Sequence, residues 1–418
     1  MTEAGELREQ MVSRLRDSGV LHDERVSAAM LAVPRHLFLP QAGPERAYAD
    51  IPVVTKTAAD GRPVSSASQP AIVAIMLEQL GVLPGQRVLE VGAGTGYNAA
   101  LLARLAGPDG QVTAVDLDGD IVEAAREHLA SAGVGPAGDE TAPVNVMLGD
   151  GGLGWPPDAP YDRIVATVGA GDIPPAWWQQ LRPDGRMLLP LALRPGLQYS
   201  IAFGPEAGHL ASLSVVPCGF MPLRGAFAAP EAVIEDGGGG LRAETGPRPA
   251  GADPLASLLG QPGEPGSTGV VLSLRELWGG LGAWLAAHEP GIGRLSALGE
   301  APPSGPAAGL VVGSIGALLL IGGHGCAVLT RPREPDGPDP ADRHALFELG
   351  VTPFGPDGPQ LADRLARRAQ DWAVAGRPGA DRLVIRAWPA GTGPEPAAGE
   401  TVVDLAHTRL LLSWRPAP

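Results

Sequence analysis

The sequence predicts an α/β protein: a largely parallel sheet with helices on both faces, followed by a second region of α+β character. Three observations carry this. Between residues 87 and 193, apolar strand-like runs alternate with helical patterns, and alternation at that pitch builds a parallel sheet. The first of these strands runs into a glycine-spaced turn, "RVLEVGAGTGYNAALLARL" at 87–105, the join that opens a nucleotide-binding βαβ unit. A Gly/Pro-rich stretch then separates this rhythm from a different one, as a linker between two cores would. The predicted division is a domain over 1–225, a linker over 226–268 and an α+β domain over 269–418. A chain of 418 residues, 44% of them hydrophobic, is long enough for two cores.

The elements follow in order. Leu7, Met11 and Leu15 recur at helical spacing, predicting one or two amphipathic helices over 1–31. "VPRHLFLP" (33–40) is a proline-bounded connector. "QPAIVAIMLEQL" (69–80) is a helix with a proline near its start, where the missing N–H is tolerated. "QRVLEVGA", "QVTAVDL", "VNVMLGDG", "YDRIVATVGA" and "GRMLLPLAL" read as strands, separated by the helices "YNAALLARLAG", "GDIVEAAREHLASAG" and "PAWWQQL". "LQYSIAF" and "ASLSVVPC" close the sheet as antiparallel edge strands. Beyond the linker, "TGVVLSLRE" is strand and "LWGGLGAWLAA" helix, with Leu274, Trp278 and Leu281 forming a core stripe. "AGLVVGSIGALLLIGG" and "CAVLTR" read as paired strands, "PREPDGPDPADR" as a loop and "QLADRLARRAQDWAVAG" as a helix. "RLVIRAW" and "TRLLLSW" are the last strands.

Composition narrows the function. The formal net charge is −15, with no basic cluster and a single lysine, Lys56. Phosphate backbones need a positive footprint, so nucleic acid is excluded as a partner. A cationic ligand or a peptide carrying positive charge is compatible. Cys218 and Cys326 fit no metal spacing and read as small buried residues. The charged N-terminus has no apolar signal region, and 309–323 is too short and glycine-broken to span a bilayer. A cytoplasmic protein without membrane contact is expected.

The glycine turn supplies the first chemistry. Gly92, Gly94 and Gly96 let the backbone turn tightly and approach a ligand that any Cβ would displace. NAD, FAD and S-adenosylmethionine sites share such loops. Three carboxylates separate them. Glu90, two residues before Gly92, can face an ammonium group, for which a pyrophosphate site has no use. Asp116 ends the second strand twenty residues after Gly96, placed for ribose hydroxyls. Asp150 ends the third strand, where methyltransferases contact the adenine. Taken singly, Glu90 and Asp150 also read as capped or solvated carboxylates. Together with the glycines they favour S-adenosylmethionine, which carries a sulfonium and an ammonium.

"VPRHLFLP", "AYADIPV", "SQPAIVAIMLEQL", "PGQRVLEVGAGTGYNAALLA", "GDGGLGWPPDAPYDRIVAT", "IPPAW" and "LRPDGRMLLPL" occur in this order over 10–225. In them the chain resembles the protein-L-isoaspartate O-methyltransferase family. The resemblance implies a Rossmann-like class I methyltransferase sheet with an N-terminal helical extension. It implies S-adenosylmethionine as cofactor, and as partner a peptide or protein carrying aspartate or isoaspartate. Ser68 matches the serine facing the acceptor carboxylate, and Ser65, Ser66 and Gln69 line the same side. A helix start suits a carboxylate because its N–H groups are unpaired; the plain N-cap role is compatible with that. No catalytic triad and no metal are implied, and His36 reads as structural.

Two departures bear on substrate. The family usually has G-Q-T-I-S-Q-P where this chain has "PVSSASQP" (63–70), and its repair enzymes end near 225. Both departures resemble a branch found with ribosomally made, modified peptides. Its members methylate an L-aspartate whose ester then closes to aspartimide and opens to isoaspartate. That reading leads, with isoaspartyl repair as the alternative; a non-catalytic binding scaffold and a small-molecule methyltransferase stand further back. For the C-terminal region, elimination leaves peptide recognition or homodimerisation.

Overall fold

The computed structural model describes residues 2–59, 61–134, 141–229, 233–235, 240–246, 248, 250–260, 262–297, 310, 316–331 and 344–416. Two N-terminal helices, Glu3–Asp17 and Glu24–Ala32, begin at Thr2 and Asp23, whose side chains accept backbone N–H groups of the first turn. Met11, Leu15, Val26 and Met30 form their buried faces. A 3₁₀ turn over Arg35–Phe38 and a hairpin of Val53–Thr57 with Pro63–Ala67 lead into helix Pro70–Leu80.

The main sheet has ten strands: β1 (Arg87–Val91), β2 (Gln111–Asp116), β3 (Val144–Leu148), β4 (Tyr161–Ala166), β5 (Leu181–Arg194), β6 (Leu197–Glu206), β7 (His209–Cys218), β8 (Leu383–Pro389), β9 (Thr401–Asp404) and β10 (Thr408–Trp414). Their spatial order is β9-β10-β8-β7-β6-β5-β4-β1-β2-β3. β1 to β5 are parallel and the rest antiparallel. β1, β2 and β4 are buried on both faces, so they read as near-continuous apolar runs. Helix Tyr97–Ala106 contributes Ala99 through Ala103, all fully buried, to one layer.

The predicted fold class matches, but the chain does not divide where the glycines and prolines fall. β6 and β7 are antiparallel as expected, yet they are interior strands, because the last three strands return to this sheet. β8 pairs with β7 through Arg386–Ala211 and Ala387–Leu210, and the Ile385 N–H donates to Ser212 Oγ at 2.9 Å. An uncovered β7 would leave a row of unpaired backbone groups beside apolar Leu210 and Val215, and β8 satisfies both needs.

A second, antiparallel sheet takes the intervening chain in the order Val233–Glu235, Leu241–Glu244, Ile292–Ala297, Ala317–Ile321, Cys326–Thr330, Leu346–Phe354, Gly266–Ser273. Its first two strands lie inside the expected linker, 226–268. Leu241 and Ala243 there are fully buried, an alternation that the surrounding Gly and Pro residues obscure. The expected loop at 332–343, residues 308–309 and 311–315 of the expected strand, and parts of the linker lie outside the described residues.

Helix Leu274–His288 and helix Gly358–Val374 lie between the sheets. One buried cluster runs from Leu89, Leu191 and Tyr199 through Leu281 and Leu285 to Trp372 and Ile385, so the two regions share a core. The first of these helices carries a π-turn over Leu277–Leu281. There a Cβ on Gly280 would lie 2.8 Å from the Trp372 ring. Leu274 and Leu281 are core as predicted, whereas Trp278 is half-buried and lines a cavity. Cys218 and Cys326 are free thiols. Among the described residues no helix is long and apolar enough to cross a membrane.

Candidate active site

A cavity of about 1240 Å³ opens at the carboxyl ends of β1 and β2, where ligands of parallel sheets bind. It exceeds the volume most single small-molecule sites enclose, leaving room for a nucleotide and a second molecule.

The glycine loop forms one side. Gly92, Gly94 and Gly96 have φ of +96°, +51° and +86°, the left-handed region where a side chain is strained. Packing adds a second reason at two of them. A Cβ on Gly92 would lie 2.9 Å from Thr167 and Val168, and one on Gly96 3.2 Å from the Ala125 carbonyl. Around Gly94 the space is open, its nearest neighbour being the Ser66 carbonyl at 3.9 Å.

Two of the three expected carboxylates reach this cavity. Glu90 is fully buried, and its Oε1 accepts from Asn98 Nδ2 at 2.8 Å while Oε2 has no hydrogen-bond partner among the described residues. Burial pushes its pKa up to about 8, against a smaller lowering by Asn98. An orphaned acid on a nucleotide cavity is a fitting partner for a cation. Asp116 is buried, its Oδ2 accepting the Gly94 N–H at 3.0 Å and its Oδ1 the Asp118 N–H at 3.3 Å. Each oxygen keeps a lone pair for a ribose hydroxyl. Asp150 departs from expectation. Its carboxylate accepts the N–H groups of Gly152 (2.9 Å) and Ala226 (2.7 Å), and its neighbour Gly151 lines the cavity in its place. It ties two loops together.

The hairpin and helix Pro70–Leu80 form the side of the cavity where the acceptor was expected. Ser65, Ser66, Ser68 and Gln69 all line the cavity. Ser65 is buried, and its Oγ accepts from Thr55 Oγ1 at 3.1 Å. The hydroxyls of Ser66 and Ser68 have no partner among the described residues. Ser68 does not cap the helix: Gln69 holds the cap position, and Asp50 accepts the Ala71 N–H and the Gln69 side-chain amide, both at 2.9 Å. The helix start is thus already occupied by a carboxylate of the chain itself.

Two residues here escaped the sequence reading. Asp50 is one. The other is Arg35, buried within the connector, whose Nη2 donates to the Ser68 carbonyl and Nε to the Ala47 carbonyl, both at 2.8 Å. Its guanidinium lies 4.9 Å from the Tyr97 ring centroid, and desolvation lowers its pKa. "PRH" carried the residue but no local signal of so distant a partner. His36 pairs with the Tyr48 hydroxyl at 2.8 Å and does not line the cavity.

A lid completes the enclosure. The Gln198 side chain pairs with both backbone groups of Phe220 and so holds the segment after β7 over the site. Arg224 from that segment and Lys56 from the hairpin both reach Asp118, at 3.0 and 2.9 Å, and Lys56 also reaches Asp120. These cations hold the Asp118 carboxyl below its usual range. No cluster of three or more His, Cys, Asp or Glu side chains suited to a metal occurs among the described residues.

Fold and site define a Rossmann-like methyltransferase that uses S-adenosylmethionine. The family match and the curated relatives agree. Residues 6–227 match the family model described as "Protein-L-isoaspartate(D-aspartate) O-methyltransferase (PCMT)". The protein-L-isoaspartate O-methyltransferase of Methanopyrus kandleri is 40% identical over 226 residues, covering 54% of this chain and 95% of the relative. That of Methanoculleus marisnigri is 40% identical over 221 residues, covering 53% and 92%. Among solved structures, one titled protein-L-isoaspartate O-methyltransferase aligns over 91% of this chain and 96% of its own, with 21% identity and a TM-score of 0.49. A Plasmodium falciparum structure, titled as a complex with S-adenosyl-L-homocysteine, aligns over 52% and 98%, with 18% identity and a TM-score of 0.44. This chain belongs to the protein-L-isoaspartate(D-aspartate) O-methyltransferase family and is an enzyme of that class.

Proposed function

We propose that the enzyme transfers a methyl group to the free α-carboxylate of an isoaspartyl residue in a protein or peptide. The supporting observation is the single cavity that joins the glycine loop and the orphaned Glu90 to the serine-lined hairpin. The names of the curated relatives favour this acceptor, which reverses the order the sequence suggested. S-adenosylmethionine, when bound, supplies an electrophilic methyl group on sulfur. Glu90 and the Gly92–Gly96 loop would hold its amino-acid portion and Asp116 its ribose.

The chain's own residues then have a modest task. An isoaspartyl carboxylate ionises near pH 4, so it needs no general base at neutral pH. Ser68 orients it through its free hydroxyl, with Arg35 fixing the serine's backbone. The hairpin and the lid exclude water, which strengthens alignment of the two reactants. Opposite charges vanish as carbon–oxygen bond formation accompanies carbon–sulfur cleavage, so strong stabilisation of either charge would slow the step.

A second reading is favoured by Leu274, Trp278, Trp372 and Arg377, beyond the family match, which help wall the cavity, and by Ser65 and Ser66. In it the acceptor is an L-aspartate of a modified ribosomal peptide, whose ester closes to aspartimide. Mass spectrometry with two acceptors separates them. A gain of one methyl on a linear isoaspartyl peptide supports the first. Net loss of water, confined to a constrained L-aspartyl peptide, would replace it with the second.

A further inference from the structure

Part of the cavity wall comes from residues beyond 227, where the family match ends. The π-turn brings Trp278 to this wall, and Arg275 precedes it. The Trp278 Nε1–H is buried without a hydrogen-bond partner among the described residues. Its ring is backed by the Arg294 guanidinium, 5.7 Å from the centroid. Arg275 is exposed, lines the cavity and has no ion pair among the described residues. The adjacent Glu276 is committed elsewhere: it caps Ser273 and pairs with Arg377 at 3.2 Å. Asp381 is the other carboxylate that this region turns to the cavity.

We infer that this wall is a peptide subsite, in which Arg275 selects an acidic side chain flanking the reacting residue and the Trp278 N–H takes a peptide carbonyl. The inference rests on the proposed carboxyl methylation and adds the sequence preference of its substrate. The net charge of −15 would favour a cationic peptide, but at physiological salt such a field fades within about 8 Å. Contact chemistry at the wall then decides: a guanidinium and an N–H that have no partner among the described residues both call for acceptors. The buried N–H discriminates strongly, since a mismatched partner leaves it unsatisfied, and the exposed guanidinium adds attraction to an acidic side chain.

The test is fluorescence anisotropy with full-length enzyme saturated with S-adenosylhomocysteine. Three short labelled peptides share one central isoaspartate and differ only in flanking Glu, Ala or Lys. The Glu-flanked peptide is expected to bind about tenfold more tightly than the Lys-flanked one, as one charge-assisted contact would give. Arg275→Ala levels the series and Arg275→Glu inverts it. Trp278→Phe weakens all three by about fivefold without changing their order. Cofactor affinity stays constant throughout. Equal binding of the three peptides, no binding of any, or a Glu preference surviving in Arg275→Glu would overturn the inference. Binding is read apart from turnover. Peptides that bind in the expected order yet gain no methyl would therefore refute the proposed acceptor and leave the subsite standing.

Discussion

Replacing Glu90 with glutamine separates what this residue does for binding from what it costs the fold. The carboxyl is fully buried with one oxygen unpaired, and its pKa is pushed up to about 8. In the unfolded chain it ionises near its ordinary value of about 4.5. Between these limits the folded state holds a proton that the unfolded state has released, so stability falls as pH rises through that window. At pH 7 the loss is about 2.5 pH units at about 1.4 kcal/mol each, or about 3.5 kcal/mol. Glutamine keeps the shape and the acceptor for Asn98 but has no charge to suppress. Relative to wild type, Glu90→Gln without cofactor should therefore gain stability between pH 5 and 7.5, by about 4 °C in Tm. Binding runs the other way. A cationic ligand needs the ionised form, so its uptake releases a proton. Calorimetric affinity for S-adenosylmethionine in wild type should then rise nearly tenfold per unit from pH 6 to 7.5. In Glu90→Gln it should be flat, and at pH 7.5 weaker by about 2 kcal/mol, about thirtyfold. A wild-type affinity independent of pH, or a variant that binds equally well, would refute the assignment of Glu90 to a cation.

Three further predictions concern the rest of the cavity. Asp116→Ala removes the acceptor for the Gly94 and Asp118 N–H groups; cofactor affinity should fall by about 2 kcal/mol, read by calorimetry. Asp50→Ala uncaps helix Pro70–Leu80, costing about 1 kcal/mol in chemical unfolding. It should raise the acceptor KM while leaving cofactor affinity unchanged. Lys56→Met releases the hairpin from Asp118 and Asp120. Exposed pairs contribute little to stability, so Tm should barely move, while cofactor dissociation in stopped flow quickens on the order of threefold and wild-type dissociation quickens with salt.

Local sequence pattern located the glycine-loop side of the cavity and much less of the hairpin side. Gly92, Gly94 and Gly96 announce themselves because backbone conformation dictates residue type at each. Glu90 and Asp116 sit at fixed offsets from strands whose apolar runs are unmistakable. Arg35 and Asp50 act across the fold, on Ser68 and on the start of helix Pro70–Leu80, and no periodicity encodes such a partner. Asp150 had the expected position but is engaged by the N–H of Ala226, a contact set by how the lid folds back. The C-terminal strands were legible as strands, yet strand propensity does not say which edge they join. Their return to β7, and the use of Leu241–Glu244 inside a Gly/Pro-rich stretch, follow from edges and apolar faces that exist only once the first sheet has formed.

The most direct test of the account is methyl transfer itself. Enzyme, methyl-labelled S-adenosylmethionine and a linear isoaspartyl peptide are incubated beside the same peptide with its free isoaspartyl carboxyl amidated. The expected result is label on the first peptide alone, released by mild alkali as methanol, the signature of an ester. Label that resists alkali, or that appears equally on the amidated peptide, would contradict a carboxylate acceptor.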